Sequence, residues 1–279
     1  MSNVSLETEI SAGSVLYLDL LKRCLVNVIY RDPPVPMPPA TGASFDLAKR
    51  VAGGDRPSQA HTMIGLNRLD NLQQLIGTVI RDRVPGDLIE TGVARGGAAI
   101  FMRAVLKAYD VTDRRVFVAD SFGSFPRSAE SGITRRSYSS PVWRQMGEAY
   151  QREPAAFERM AGELRAGTSY DEVRDTFARY GMLDDQVCFL PGWFSETLRT
   201  APIAALGLLR IDADLYDSTR EALIRLYPKV SPGGYTVVDD YHTFAECREA
   251  VDEYLAGQQS IELRVVDEAV YWRKPAPRG

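Results

Sequence analysis

A doubly wound α/β sheet closed by an antiparallel hairpin is the fold class that this 279-residue sequence predicts. From Pro85 onward, short apolar runs alternate with segments of helical period through five β units, the pattern of a parallel sheet with crossover helices. Four of those runs end in or beside an acid, at the end of the strand where open sheets bind ligands. The last two runs, 261–267 and 269–274, have almost nothing between them, so they pair antiparallel.

The elements follow in order. Leu16, Leu20, Leu21, Leu25, Val28 and Ile29 recur at helical spacing, which predicts an amphipathic helix over 14–30 that stops at Asp32-Pro33-Pro34. Residues 33–39 hold five prolines, which disfavour helix and central strand alike. A polar loop runs on through Gly53-Gly54-Asp55-Arg56-Pro57, and Leu66, Leu69, Leu72, Leu75, Ile76 and Val79 mark a second helix ending near Asp82. Residues 1–83 therefore read as helices joined by irregular chain, which cannot by themselves be the main core. Residues 84–279 carry the sheet: strands at 86–92, 115–120, 186–190, 206–212 and 235–239, helices at 96–109, 170–180, 216–227 and 244–256, and a turn at Ser231-Pro232-Gly233-Gly234. Within them, 123–169 is polar and aperiodic, and an insertion of this kind after a strand's carboxyl end is expected to be a functional lid.

Composition removes several classes of function. The chain is 45% hydrophobic and 25% charged, an ordinary globular balance. Lys+Arg 33 against Asp+Glu 37 leaves −4, so there is no basic footprint for nucleic acid. No apolar stretch approaches the roughly 20 residues that cross a bilayer. Met1 to Ile10 carries Glu7 and Glu9 and no basic segment, unlike a secretory signal. Cys24, Cys188 and Cys247 are odd in number and widely spaced, which suits neither a disulfide framework nor a zinc knuckle. A cytoplasmic protein with reduced thiols, no membrane and no nucleic-acid partner is expected.

The strand ends carry the chemistry. Glu90-Thr91-Gly92-Val93-Ala94-Arg95-Gly96-Gly97 joins a strand to a helix, with glycines that let backbone pass close to a ligand and a helix start that offers N–H groups to an anion. Gly92 is followed by three non-glycines, so this is not the dinucleotide fingerprint, and a plain strand-to-helix turn is the bland alternative. Asp120-Ser121 ends the next strand, where an acid accepts hydrogen bonds from a ribose diol. Asp212, Asp214 and Asp217 follow the fourth strand, and Asp239, Asp240 and His242 the fifth. Carboxylates gathered on neighbouring tips repel unless something positive lies between them, and a hard cation such as Mg²⁺ suits oxygen ligands. Asp217 and Asp214 have a structural alternative as helix N-caps. His61 and His242 are too few for zinc, and His242 reads as a surface residue. No Gly-x-Ser-x-Gly elbow is present and the cysteines lack a nearby base, so nucleophilic catalysis has no support.

With these motifs the chain resembles the macrocin O-methyltransferase family, S-adenosylmethionine-dependent enzymes that methylate sugar hydroxyls in antibiotic biosynthesis. The resemblance lies in Thr62-Met63-Ile64-Gly65-Leu66 with Arg68-Leu69-Asp70-Asn71, Glu90-Thr91-Gly92-Val93 with Gly96-Gly97, and Val118-Ala119-Asp120-Ser121-Phe122-Gly123. It continues in Ile211-Asp212-Ala213-Asp214-Leu215-Tyr216, Leu226-Tyr227-Pro228 with Ser231-Pro232-Gly233-Gly234-Tyr235, Asp239-Asp240-Tyr241 and Val270-Tyr271-Trp272-Arg273. Tyr17-Leu18-Asp19-Leu20-Leu21-Lys22 with Asp32-Pro33-Pro34 looks most like the branch acting on the noviose sugar of aminocoumarin antibiotics. The resemblance implies a class I methyltransferase fold, Rossmann-like, with strand order 3-2-1-4-5-7-6, an N-terminal helical lid, S-adenosylmethionine and Mg²⁺. It places Glu90, Thr91 and Gly92 along the methionine part of the cofactor, Asp120 on the ribose with Ser121 beside it, Trp193 near the adenine, and Met63 in the lid against the cofactor. Asp212, Asp239 and Asp240 would hold the metal, with Asp212 also lining the cofactor site. Asp214 is the expected base. Residues two apart in extended chain point to the same side, so Asp212 and Asp214 can share a pocket with Asp214 further out.

The expected reaction is in-line methyl transfer to a hydroxyl of a glycosylated small molecule, helped by a metal and a base. A nicotinamide-dependent oxidoreductase on a related sheet is the alternative, and the glycine spacing argues against it. The N-terminal helix, apolar on more than one face, suits packing on its own domain or a homodimer. His242 is the next candidate base should Asp214 not serve.

Overall fold

The computed structural model describes residues 10–35, 44–123, 135–139, 152, 168–258 and 261–276. Most of the 123–169 insertion and part of the proline-rich stretch lie outside the described residues.

The first helix, α1 (Ala12–Leu25), starts on Ser11, whose hydroxyl accepts the Ser14 N–H at 3.0 Å. It ends five residues earlier than periodicity predicts. Tertiary donors claim its terminal carbonyls: His61 and Thr62 N–H reach the Leu25 carbonyl, and Arg50 Nη1 reaches that of Val26 at 3.0 Å. Asn27 then takes a left-handed φ of 56°, which asparagine tolerates better than most residues. A short helix that sequence periodicity did not reveal, α2 (Leu47–Ala52), precedes α3 (Gly65–Arg81).

The sheet region follows: β1 (Asp87–Thr91), α4 (Gly97–Ala108), β2 (Val116–Asp120), α5 (Tyr170–Arg179), β3 (Val187–Pro191), α6 (Phe194–Thr200) and β4 (Leu206–Ile211). Then come α7 (Tyr216–Leu226), β5 (Val230–Val238), α8 (Ala245–Ala256), β6 (Arg264–Val266) and β7 (Ala269–Arg273). The strand order is β3-β2-β1-β4-β5-β7-β6, parallel from β3 to β5, with β7 antiparallel to both β5 and β6. Ser231-Pro232-Gly233-Gly234, expected as a turn, lies inside β5. The pairing steps from Leu206↔Val230 to Leu208↔Tyr235, so the ladder absorbs these residues as a bulge.

Alternation along the strands sends side chains into two cores. Leu88, Val116, Val118, Leu208 and Val237 pack on α4, α3 and α1. Ile89, Phe117, Ala119, Leu209, Ile211 and Val238 pack on α6, α7 and α8. The N-terminal helices therefore pack on their own domain, one of the two placements the sequence allowed for α1. Leu18, Leu21 and Leu25 of α1, with Leu69, Leu72 and Ile76 of α3, share the cluster of Phe101 and Val105. Their apolar stripes complete the cover of one sheet face, which α4 leaves open toward β4 and β5. Among the described residues, no helix is long and apolar enough to cross a membrane.

Candidate active site

The strand tips are locked in register beyond the strands themselves. The Gly92 N–H reaches the Ala119 carbonyl, Asp212 N–H that of Thr91, Asp239 N–H that of Ile211, and Gly192 N–H that of Asp120, all at 2.8–2.9 Å. The tips of β3, β2, β1, β4 and β5 thus form one rim. Gly92 has φ 82°, and a Cβ there would lie 1.7 Å from the Asp212 carbonyl oxygen, so no other residue fits between the two tips.

At the β2 tip, Asp120 accepts the Val93 N–H on Oδ2 and the Phe122 N–H on Oδ1, both at 2.8 Å. Burial pushes its carboxyl up, opposed by those amide bonds. Ser121 Oγ stands 3.5 Å from Oδ1. Trp193, half-buried, follows Gly192 as the N-cap residue preceding α6. Sequence reading did not single out the rings beside this tip: Phe122 packs edge-on against Tyr170, and Tyr170 against Phe189, with centroids 5.5 and 5.3 Å apart.

The start of α4 departs from expectation. Its Gly97 N–H, predicted as free for an anion, donates to the His61 carbonyl at 3.0 Å. The segment leading to α3 lies across the glycine turn, and it carries Met63, which is 36% exposed.

The acids form two groups. One is built on Arg210, which is 1% exposed at the end of β4. Its Nη1 donates to Glu90 Oε1 and, at 2.9 Å, to Asp212 Oδ2; its Nη2 donates to Asp239 Oδ1 at 2.7 Å. Arg68 of α3 donates to the other Asp239 oxygen. The positive charge expected between the tips is therefore supplied in part by two guanidiniums. The second group is Asp212, Asp214 and Asp240, whose carboxylate oxygens lie within 4.8 Å of one another. Of the expected metal set, Asp212 and Asp240 converge here with Asp214, while Asp239 beside them bonds Arg210 and Arg68. Asp214 turns inward from a left-handed φ of 57° in a turn past the strand end, not by extended alternation, and its N–H bonds Asp240 Oδ2 at 3.2 Å.

Two guanidiniums (Arg68, Arg210) face five carboxyl groups (Glu90, Asp212, Asp214, Asp239, Asp240), and burial with the neighbouring negative charge raises Glu90, Asp212, Asp214 and Asp240. Burial, then the Asp212 charge, pushes Asp214 up to about 7. Burial, then the charges of Asp214 and Asp212, holds Asp240 well above the usual carboxylate range. Burial pushes Glu90 up to about 8 against the pull of Arg210, and its Oε2 is buried without a hydrogen-bond partner among the described residues.

The remaining candidates fall elsewhere. Leu215 occupies the N-cap of α7 without a side-chain bond, so neither Asp214 nor Asp217 is a cap. Asp217 instead exchanges hydrogen bonds with Ser137 at 2.7 and 3.0 Å. His242 is exposed, edge-on to Tyr241 with Nδ1 3.5 Å from Arg248, and is a surface residue as expected.

The strand order 3-2-1-4-5-7-6 agrees with what the resemblance implied, and comparison with known proteins decides the family. The sequence pattern of macrocin-O-methyltransferase (TylF) matches residues 14–274. The chain belongs to the macrocin-O-methyltransferase family. It is 45% identical over 269 residues to a mycinamicin III 3''-O-methyltransferase of Micromonospora griseorubida, covering 95% of this chain and 99% of that one. It is 47% identical over 264 residues to an 8-demethyl-8-(2,3-dimethoxy-alpha-L-rhamnosyl)-tetracenomycin-C 4'-O-methyltransferase of Streptomyces olivaceus (94% and 93%). It is 44% identical over 275 residues to a demethyldecarbamoylnovobiocin O-methyltransferase of Streptomyces niveus (95% and 96%). The solved structure of the O-methyltransferase NovP superposes with a TM-score of 0.80 at 45% identity, over 94% of this chain and 100% of that one. Identities so close together single out no one branch of the macrocin-O-methyltransferase family, the aminocoumarin branch included.

Proposed function

We propose that the chain is a Mg²⁺-dependent S-adenosylmethionine O-methyltransferase acting on a deoxysugar hydroxyl of a glycosylated antibiotic or related metabolite. The observation that carries it is the converging trio Asp212, Asp214 and Asp240, set beside the Gly92 turn and the Asp120 tip. All-oxygen donors whose charge the guanidiniums offset only in part suit a hard divalent cation. The buried, unpartnered Glu90 Oε2 suits a donor from the cofactor. Relatives named for different glycosides support the sugar acceptor.

Bound S-adenosylmethionine supplies an electrophilic methyl group, and a bound divalent cation supplies Lewis acidity that lowers the pKa of a hydroxyl. Around them, Glu90, Thr91 and Gly92 form the floor for the methionine part, and Asp120 accepts from the ribose with Ser121 beside it. Trp193 flanks the adenine, and Met63 covers the cofactor from the N-terminal side. Asp212 and Asp240, with Asp239 beside them, would hold the cation. Asp214, poised near neutrality, takes the proton from the acceptor hydroxyl. Arg210 holds Asp212 and Glu90 in one plane of contacts, so the cation and cofactor sites keep a fixed relation. The nicotinamide alternative has no observation in its favour.

Turnover of glycosylated acceptors with S-adenosylmethionine, measured with excess chelator and after Mg²⁺ is restored, tests this reading. Activity is expected to vanish and return. Full activity in chelator would remove the cation, and no methyl transfer to any sugar acceptor would remove the function.

A further inference from the structure

We infer that Ser137, in the 123–169 insertion, is a positioning residue for the base: docked by Arg136, it caps α7 and so holds the strained turn that aims Asp214. The inference deepens the assignment of Asp214 as base and rests on it. Asp214 sits at the centre of a three-residue turn. The Leu215 N–H reaches back to the Ala213 carbonyl at 2.5 Å, and Asp214 takes φ 57°. This is a γ-turn of the strained hand, which persists only where its surroundings over-determine it. From the β5 tip, Asp240 Oδ2 takes the Asp214 N–H at 3.2 Å. On the other side α7 begins at once with Tyr216, and the Ser218 hydroxyl in its first turn donates to the same Ala213 carbonyl at 2.7 Å. The first turn of α7 therefore braces the base.

Helix α7 does not finish its own N-terminus. Leu215 at the N-cap brings no side-chain acceptor, and the first N–H groups of a helix need one. The insertion supplies it from 80 positions away: Ser137 Oγ accepts the Asp217 N–H at 3.0 Å and donates to Asp217 Oδ2 at 2.7 Å. Ser137 is fully buried there. Its neighbours fasten the 3₁₀ turn that carries it, Arg135–Tyr138. Arg136 lies over the Tyr216 ring, with Cζ 3.9 Å from the centroid, and its Nη1 donates to the Tyr216 hydroxyl at 2.7 Å. Its Nη2 donates to Glu249, at 2.7 Å, and to Glu253, one turn further along α8. Ser139 Oγ donates to Glu246 Oε1 at 3.1 Å. One short segment of the insertion is thus bonded to α7 and α8 together, and it completes the helix that starts two residues past Asp214.

The test compares the native chain with Ser137→Ala, Ser137→Thr, Arg136→Met, Asp214→Asn and the double variant Asp214→Asn/Ser137→Ala. Turnover is measured with S-adenosylmethionine and the glycosylated acceptor that the native chain methylates fastest, cofactor affinity by calorimetry, and amide exchange across 213–220. Ser137→Ala is expected to speed that exchange about tenfold, the order of a lost N-cap. It should lower kcat by about the same factor, with acceptor KM and cofactor affinity unchanged. Ser137→Thr, which keeps the hydroxyl, should restore most of both. Arg136→Met should lower kcat in the same sense at unchanged affinities. In the Asp214→Asn background the Ser137 substitution should cost nothing further, because it acts through that residue. A merely structural cap would speed exchange and leave kcat alone, or would slow both backgrounds alike. Either result would overturn the inference, as would native exchange across 213–220 in Ser137→Ala. If Asp214→Asn turns over as the native chain does, Asp214 is not the base and the inference falls with that reading. If only Ser137→Ala and Arg136→Met keep native turnover, the base stands and the inference alone falls. If the native chain methylates no sugar acceptor, the function fails first, and exchange across 213–220 alone decides whether Ser137 holds the turn.

Discussion

Asp120 shows how one carboxylate serves structure and ligand together. It accepts from the Val93 and Phe122 amides, so truncation to alanine leaves two backbone donors without their partner as well as removing the ribose acceptor, and should cost stability as well as affinity. Asp120→Asn keeps an acceptor and is the cleaner probe. It should weaken S-adenosylmethionine by about 1.5–3 kcal/mol in calorimetry, and unchanged affinity would remove Asp120 from the site. Asp212 and Asp214 should separate in the same way. Asp214→Asn should lower kcat by about 10²–10⁴ while cofactor affinity holds. Asp212→Asn should also lose cation affinity, since it breaks the Arg210 contact that orients the ligand. A swap of these outcomes would exchange the two roles. The acids themselves were legible, because carboxylates placed after apolar runs are placed at strand tips. Arg210 was not: a basic residue inside a strand gives no sign of the three carboxylates that surround it until β1, β4 and β5 are neighbours.

At the scale of elements, the β1–α4 turn and the Asp32 knot carry the sharpest expectations. A methyl group at Gly92 would meet the Asp212 carbonyl at 1.7 Å and require a left-handed alanine. Gly92→Ala should therefore cost at least about 1–3 kcal/mol in denaturant unfolding, and cofactor binding should fall further because the β4 tip must move. Native stability in this variant would show that the two tips can part freely. Asp32 is buried among Arg50, Asn27, Ser58 and the Gln59 amide. Burial alone would raise its carboxyl, but the hydrogen bonds from Arg50 and Gln59 outweigh it and hold the group below its ordinary value. A carboxyl lowered by folding contributes stability above its unfolded pKa of about 3.9, and that contribution is lost as pH falls through the folded value. Amide exchange over 26–32 and 50–60 should accelerate below about pH 4, and in Asp32→Asn it should be fast already at neutral pH. Exchange in Asp32→Asn that matches the native chain at pH 6 would mean that apolar packing alone holds the segment. Helix α1 illustrates why its end was misread. Apolar spacing continues to Ile29, but donors from residues 50, 61 and 62 stop the helix at Leu25.

For the whole molecule, ligand linkage distinguishes the methyltransferase from the alternative that the sequence left open. S-adenosylmethionine at 100 times its Kd should add about 2.7 kcal/mol to the unfolding free energy, seen as a rise in Tm, whereas NAD should add nothing. A rise with NAD and none with S-adenosylmethionine would reverse the assignment. The rise should come in a single transition, because α1 and α3 share one core with α4 and the sheet. A separate early transition of the N-terminal helices would show that they unfold as an independent unit.

The alternation of apolar runs with helical segments, the closing hairpin and the acids at strand ends were determined by the sequence alone, since periodicity and turn chemistry are local and survive without a partner. The family, too, was readable from Glu90-Thr91-Gly92-Val93, Asp120-Ser121, Ile211-Asp212-Ala213-Asp214 and Asp239-Asp240 in their order. Only the tertiary structure decided which carboxylates meet a guanidinium and which converge on one another, Asp212 doing both. It made Asp239 the partner of Arg68 and Arg210, turned Asp214 inward on a left-handed backbone, and gave the Gly97 N–H to His61. Each of these depends on contacts between residues 26 to 171 positions apart, and such distances are set by packing and charge balance in three dimensions, which no local pattern encodes.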